Sequence, residues 1–579
     1  MEMIKVKING IEVEVEKNTT ILDAARKAGV RIPTLCYLRE INAIGACRIC
    51  LVEVKGARGL CAACVYPLDR DGTEVFTNTP AIRAYRKMTL ELMLSNHRME
   101  CLSCVRSDDC ELRQLASEYG VDQNKFKGTE DLKPDLDEAV HLVRDNSKCI
   151  LCRRCTAVCR QNQYAGVIGP NNRGFATHIG SPFDEPLSNT SCVNCGQCTA
   201  VCPTGALTEK DDTPKVWAAI ADPEKHVVVA PAPSVRVQLG EYFGFPMGSN
   251  VEGKMIAAIR RLGVDKVFDV DNAADFTIME EGTELLERLQ NGGKLPLITS
   301  CSPGWIKFCE HYYPDMTENL SSCKSPQQMY GGLVKTYYAE KAGIDPKDIY
   351  VISVMPCTAK KFEVGRDDMS ASGYPDVDCS ITTRELARMI KTAGIVFEDL
   401  PDEECDPALG IASGAAHIFG ATGGVMEAAL RTVAEIVTGQ SLENPEFHEV
   451  RGVEAIKEAE YDLAGTKVKV AVTSGLKNAA KLLDRVKSGE ADYQFIEVMA
   501  CPGGCVNGGG QPHQPASVRN FTDVRAVRAG GLYSEDQGMA LRKSHENPIV
   551  KQVYDEYLGK PGSHKAHEIL HTTYVKRGL

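Results

Sequence analysis

At 579 residues the chain exceeds one ordinary domain and can bury a substantial core. Its formal net charge of −12 argues against nucleic acid or an anionic membrane surface as partner. No apolar run reaches the roughly 18 residues of a membrane span, and Met1-Glu-Met-Ile-Lys-Val-Lys7 opens directly into an alternating strand, so no span and no secretory or twin-arginine leader is expected. The 24 cysteines fall in tight clusters, which in a large chain without a leader indicates metal ligation in a reducing cytoplasm rather than disulfides.

Ile4–Ile8 and Ile11–Val15, joined across Asn9-Gly10, read as a hairpin, and Thr20–Ala28 as a short helix. Cys36, Cys47, Cys50 and Cys64 follow with the spacing C-x10-C-x2-C-x13-C. This looks like a ferredoxin-type β-grasp domain whose loop wraps a two-iron cluster, because soft thiolates hold a ferric pair. Cys61 competes with Cys64 for the fourth place. Next come His97, Cys101, Cys104 and Cys110, a set that by itself suits structural zinc or iron equally. Cys149, Cys152, Cys155 and Cys159 then repeat as Cys192, Cys195, Cys198 and Cys202-Pro203. That is the spacing of bacterial two-cluster ferredoxins, in which the fourth cysteine serves the other cluster. Cys149, Cys152, Cys155 and Cys202 should therefore hold one cubane, and Cys192, Cys195, Cys198 and Cys159 the second.

From about residue 210 the texture changes to apolar strands (His226–Ala230, Val264–Val270, Leu295–Ile298, Tyr350–Val354, Val468–Thr473) alternating with amphipathic helices (Lys254–Leu262, Thr283–Gln290, Thr383–Ala393). That rhythm predicts an α/β domain with largely parallel strands. Three strand ends run into cysteine turns: Thr299-Ser-Cys-Ser-Pro-Gly-Trp305, Met355-Pro-Cys-Thr-Ala-Lys-Lys361 and Glu497-Val-Met-Ala-Cys-Pro-Gly-Gly-Cys-Val-Asn-Gly-Gly-Gly-Gln-Pro512. Sites in α/β folds gather at the carboxyl ends of strands, so the three turns should meet, and the glycine run would let backbone approach a cofactor closely.

The three turns resemble the signature loops of the iron-only (FeFe) hydrogenases, and the likeness spans nearly the whole chain. The resemblance implies an H-cluster, a four-iron cubane joined through one cysteine to a di-iron unit with CO, cyanide and a dithiolate bridge, and the reversible conversion of protons and electrons to hydrogen. It implies a multidomain α+β and α/β chain: 1–80 a two-iron β-grasp domain, 81–126 a His/Cys3 four-iron domain, 127–209 a two-cluster ferredoxin domain, and 210–579 a two-lobed H-cluster domain. The His97 set resembles the His-ligated four-iron cluster of these enzymes and of the complex I electron-entry subunit. Cys357, Cys501 and Cys505 match cubane ligands, with Cys505 the bridge to the di-iron unit, and Lys360 would contact a cyanide. Ala232, Pro233, Ser234, Ser325, Pro326, Gln327, Met355, Phe419 and Met499 would line the di-iron pocket. A proton route would run from Cys301 through Glu281, Ser321 and Glu284 to a surface Arg288. Glu281, Glu284 and Arg288 share one helix face by their spacing.

One departure concerns Cys301-Ser302, where the family carries two cysteines, a relay and then a cubane ligand. Unbroken register puts Ser302 in the ligand place, whereas thiolate softness favours Cys301 as the sulfur ligand, which leaves Ser302 or water to relay protons. The motif His567-Glu-Ile-Leu-His571 spells a zinc-protease signature but reads as a helix face, and Cys309, Cys323, Cys379 and Cys405 read as structural. No nucleotide-binding motif is found. The expected partners are hydrogen, protons, maturation proteins for the di-iron unit, and either ferredoxin or an NAD(P)-linked flavoprotein subunit. The alternative functions are the hydrogen-activating subunit of an NAD(P)-linked, electron-bifurcating complex and a hydrogen-sensing or electron-relay protein.

Overall fold

Asn9 and Gly10 both take positive φ (50° and 87°), the turn that matches the twist of a two-residue hairpin between Met3–Ile8 and Ile11–Glu16. Met3–Ile8 also pairs in parallel with Glu74–Phe76, and Leu51–Val54 and Cys61–Ala62 complete a five-stranded sheet. The helix Ile21–Lys27, capped by the Thr20 hydroxyl, buries Ile21, Leu22, Ala24 and Ala25 in the core shared with this sheet. The computed structural model describes residues 2–126, 128, 135–463 and 465–578, so the expected boundary at 127 lies outside the described residues.

The cysteine repeat is a backbone repeat as well. Cys152 sits between left-handed Leu151 and Arg153, and Cys195 between left-handed Asn194 and Gly196. Each run then enters a helix, Arg154–Gln161 or Gln197–Val201, and the two helices pack together.

Two four-stranded sheets organise the rest. In the first, Lys266–Val267, His226–Pro231, Ile349–Met355 and Cys379–Thr382 lie side by side and all parallel. In the second, Leu297–Ile298, Phe495–Met499 and Thr466–Ser474 are parallel, and Ile456–Leu463 closes the edge antiparallel to Thr466–Ser474. The expected strand Val264–Val270 is only two residues long, because the Asp269 carboxylate accepts the Asp271 N–H at 3.0 Å and starts a helix at Val270. That helix runs 22 residues, Val270–Asn291, and contains the expected segment Thr283–Gln290. It contributes to the apolar cores of both sheets, through Phe276 to the first and Ala274, Ile278 and Leu285 to the second. Among the described residues no helix is long and apolar enough to cross a membrane.

Candidate active site and cluster sites

Cys301, Cys357, Cys501 and Cys505 are delivered by loops at the carboxyl ends of Leu297–Ile298, Ile349–Met355 and Phe495–Met499, and all four border one cavity of about 70 Å3. Ala232, Pro233, Ser234, Pro326, Gln327, Met355, Phe419, Met499 and Lys360 line the same cavity, whose wall is almost wholly apolar. Val270 and Ala274 of the long helix also face it. Sequence reasoning missed these two because an apolar helix position looks like ordinary core. Ser325 is not among the lining residues: its hydroxyl donates to Glu363 at 2.8 Å.

The thiols of this cavity suit iron–sulfur ligation. Contact with Cys357, and then burial, push the Cys501 thiol well up, and burial pushes Cys505 up to about 12. Thiols in so dry a place need a bound cationic metal to give up their protons, and soft sulfur is the donor that iron clusters take. Gly504 and Gly508 of the glycine run line the cavity, and the run also packs closely on neighbouring backbone. A Cβ on Gly508 would meet Pro356 O at 2.2 Å, and one on Gly509 would meet Cys195 O at 2.4 Å. These close approaches to neighbouring protein backbone lock three loops together.

Two buried carboxylates that the sequence did not flag hold the site. Glu363 accepts from Lys360 Nζ at 2.9 Å, from Gln327 Nε2 at 2.9 Å and from Ser325, so the Lys360 ammonium is aimed as well as neutralised. Lys360 Nζ also donates to Cys301 O at 3.1 Å. Glu497 accepts from Gly423 N at 2.7 Å and Met426 N at 2.8 Å, clamping the start of the helix Gly424–Thr438 just after Phe419. The signal was present in Lys360-x2-Glu363, but a lone i,i+3 pair is more often a surface bridge.

The acidic residues of the expected route lie close together. Glu281 is fully buried, and burial, then the neighbouring Glu284 charge, push its carboxyl up to about 7. Its Oε1 accepts from Ser300 N and Oγ, both at 3.3 Å, while its buried Oε2 has no hydrogen-bond partner among the described residues. Ser321 Oγ donates to Glu284 Oε2 at 2.9 Å, and Arg288 Nη2 to Glu284 Oε1 at 2.6 Å. Arg288 is half-withdrawn from the surface and also grips the carbonyls of Lys294 and Leu320. Cys301 lies beside Glu281 and Cys505, whose charges act on its thiol. Ser302 instead accepts the Ala500 N–H at 3.2 Å, next to Cys501. The two adjacent side chains thus serve different neighbours, which weighs against Cys301 as the cubane ligand. Of the four isolated cysteines, Cys309, Cys323 and Cys379 are buried and Cys405 half-buried, and Cys323 Sγ comes within 4.0 Å of Glu284.

In the N-terminal region Cys50 and Cys64 approach to 3.4 Å, and Cys36 and Cys47 act on Cys64. Cys61 stands apart, its thiol against Gly59 O at 3.7 Å. Cys149, Cys152, Cys155 and Cys202 are mutual electrostatic neighbours, as are Cys159, Cys192, Cys195 and Cys198. His97 has an orphaned buried Nδ1, and burial pulls its imidazole down to about 4, neutral and free to ligate.

These sites touch in sequence. Asn42 Nδ2 bridges Cys36 O at 2.7 Å and Cys152 O at 3.0 Å, and a Cβ on Gly205, just after Cys202, would strike Cys104 Sγ at 2.6 Å. Cys155 acts on Cys198, and Cys195 on Cys501. The zinc-protease signature is spent elsewhere: His571 Nε2 meets Glu280 Oε2 at 3.0 Å and its Nδ1 meets Ser322 Oγ at 2.8 Å.

Comparison with known proteins finds five matched stretches along the chain. Residues 225–509 match the iron only hydrogenase large subunit, C-terminal domain, and residues 522–577 the iron hydrogenase small subunit. Residues 1–80 match a 2Fe-2S iron-sulfur cluster binding domain, 86–125 the NADH-ubiquinone oxidoreductase-G iron-sulfur binding region, and 148–206 a 4Fe-4S dicluster domain. The separate match at 522–577 was not anticipated, since no motif marks it within 210–579. The chain is 47% identical over 588 residues to the NADP-reducing hydrogenase subunit HndD of Solidesulfovibrio fructosivorans, with 100% of each chain covered. It is 46% identical to iron hydrogenase 1 of Clostridium pasteurianum, over 98% of this chain and 99% of that one. A solved apo [FeFe]-hydrogenase HydA1 from Chlamydomonas reinhardtii is 42% identical with a TM-score of 0.58, covering 64% of this chain and 100% of that one.

Proposed function

The chain belongs to the iron-only hydrogenases and is an oxidoreductase acting on hydrogen; from that premise we propose how its residues divide the work. Cys357, Cys501 and Cys505 would hold the cubane, and Cys505 would also carry the di-iron unit. When bound, the H-cluster supplies the iron chemistry that interconverts hydrogen with two protons and two electrons. Lys360, aimed by Glu363, places a positive charge on the cavity wall. Cys301 and Glu281 hand protons between cavity and protein, with Ser321, Glu284 and Arg288 continuing to the surface. A Glu281 carboxyl near neutrality can give and take a proton at working pH.

The accessory sites form the electron path: a two-iron cluster at Cys36, Cys47, Cys50 and Cys64, a four-iron cluster at His97, Cys101, Cys104 and Cys110, and the two cubanes of the repeat. The observation that carries the reading is the convergence of three cysteine loops on one dry cavity, with a buried acid beside it. The test is hydrogen evolution from a reduced dye by the full chain matured with its di-iron unit. Sustained turnover is expected, and a fully iron-loaded chain without turnover would overturn the reading.

The end-to-end likeness to a subunit of an NADP-reducing hydrogenase favours an NAD(P)-linked complex as the setting. Purification from the native cells decides between this and a ferredoxin-fed enzyme: co-purifying flavoprotein supports the complex, and a lone chain active with ferredoxin rules it out.

A further inference from the structure

We propose that Ser302, through its side-chain oxygen, is the fourth protein ligand of the catalytic cubane, so that three thiolates and one alkoxide hold it and Cys301 is left free as the proton carrier. This rests on the hydrogenase reading above and departs from the two-cysteine loop of the family.

The argument is one of direction. Cys301 packs against the apolar cluster that contains Phe419 and Met499, and Glu281 is the carboxylate that acts most strongly on its thiol, ahead of Glu497. The Cys301 carbonyl is pinned by Lys360 Nζ. The chain then turns. Ser302 Oγ accepts the N–H of Ala500, the residue before Cys501, at 3.2 Å. Two residues on, a Cβ on Gly304 would lie 3.1 Å from Ala500 Cβ and 3.7 Å from Cys195 Cβ. The Ser302–Gly304 turn therefore runs along the flank where Cys501 neighbours Cys195, a cysteine of the adjoining accessory site. Ser302 borders the same cavity as Cys357, Cys501 and Cys505.

Local chemistry favours an anionic oxygen there. Ser302 is the residue before the ten-residue helix Pro303–Tyr312, whose amide dipoles stabilise negative charge at that end. The Ala500 N–H supplies a hydrogen bond of the kind that tunes metal ligands. When iron binds, the hydroxyl proton is released to water and an iron–oxygen bond forms, with no change in electron count. A hard oxygen among soft thiolates holds its iron less firmly, so one corner of this cubane is exchangeable.

The experiment uses the full chain made without the di-iron unit, and reads iron per chain before and after a chelator, with paramagnetic resonance of the reduced clusters. The expected result is loss of one iron per chain from the natural protein, converting one cubane to a three-iron form. Ser302→Cys should abolish that loss, Ser302→Ala should hasten it, and Cys301→Ala should leave count and spectrum unchanged. The assignment is overturned if Cys301→Ala removes the cubane, or if Ser302→Ala retains it with an unaltered spectrum. None of these readouts needs hydrogen turnover. A natural chain with no cubane beyond the accessory clusters would instead sink the hydrogenase reading itself.

Discussion

In residues 1–209 the thiols that meet come largely from single short loops, as Cys47 and Cys50 do, or Cys149, Cys152 and Cys155. In residues 210–579 Cys301, Cys357 and Cys501 arrive on three separate strands, and only the two sheets bring them together. The first arrangement is local, so a short peptide contour sets the ligand spacing. The second is assembled, and buried carboxylates from other elements must hold it: Glu363 aims Lys360, and Glu497 ties a helix start to the strand before Cys501. A local site should fail alone when one thiol is lost, whereas the assembled site should respond to residues that touch no iron.

The largest expected effect is Cys505→Ala, which should abolish hydrogen turnover while the accessory clusters keep their iron. Chemical iron analysis beside a dye-driven assay checks this, and concurrent loss of the accessory signals would erase the distinction between the two regions. Next is Glu281→Gln, expected to slow turnover about 10²–10⁴-fold with the clusters intact. The same change carries a stability signature. Folded Glu281 ionises only near pH 7, against an ordinary value of 4.5. Its burial therefore costs nothing below about pH 4.5, and the cost grows as pH rises towards 7, reaching about 3 kcal/mol above it. Unfolding midpoints should show Glu281→Gln stabilising the chain at pH 8 and not at pH 4.5; an equal shift at both would mean that the carboxyl is not held protonated.

A smaller effect separates the halves of the cysteine repeat. Cys159→Ala should remove about four irons, those of the Cys192 site, and leave the Cys149 site intact, with Cys202→Ala doing the reverse. Paramagnetic resonance of each variant checks the exchange of fourth ligands, and loss of the cluster in the variant's own half would refute it. The smallest effect belongs to Cys61→Ala, expected to change stability by less than about 0.5 kcal/mol and to keep the two-iron signal that Cys64→Ala loses. The opposite pattern would make Cys61 the ligand despite its 3.7 Å contact with Gly59 O.

Much of this was legible beforehand, and unevenly. Alternation and Asn9-Gly10 announced the first hairpin, and the strand rhythm after residue 210 announced parallel sheets. Val264–Val270 misled because apolar content cannot tell a strand from the entry of a buried helix, and the Asp269 cap decided it. The glycines of Gly508–Gly510 announced a close approach, and the structure adds the backbone at Pro356 and Cys195 as its protein neighbours. The chemistry of the cluster-binding regions could be read from the chain because ligands a few residues apart are constrained by covalent geometry, whatever the rest of the molecule does. Which way Cys301 and Ser302 face, which carboxylate aims Lys360, and how Glu281 comes to lie dry beside the cavity depend on elements far apart along the chain. Their contacts are set by packing in three dimensions, so the tertiary structure alone decided them.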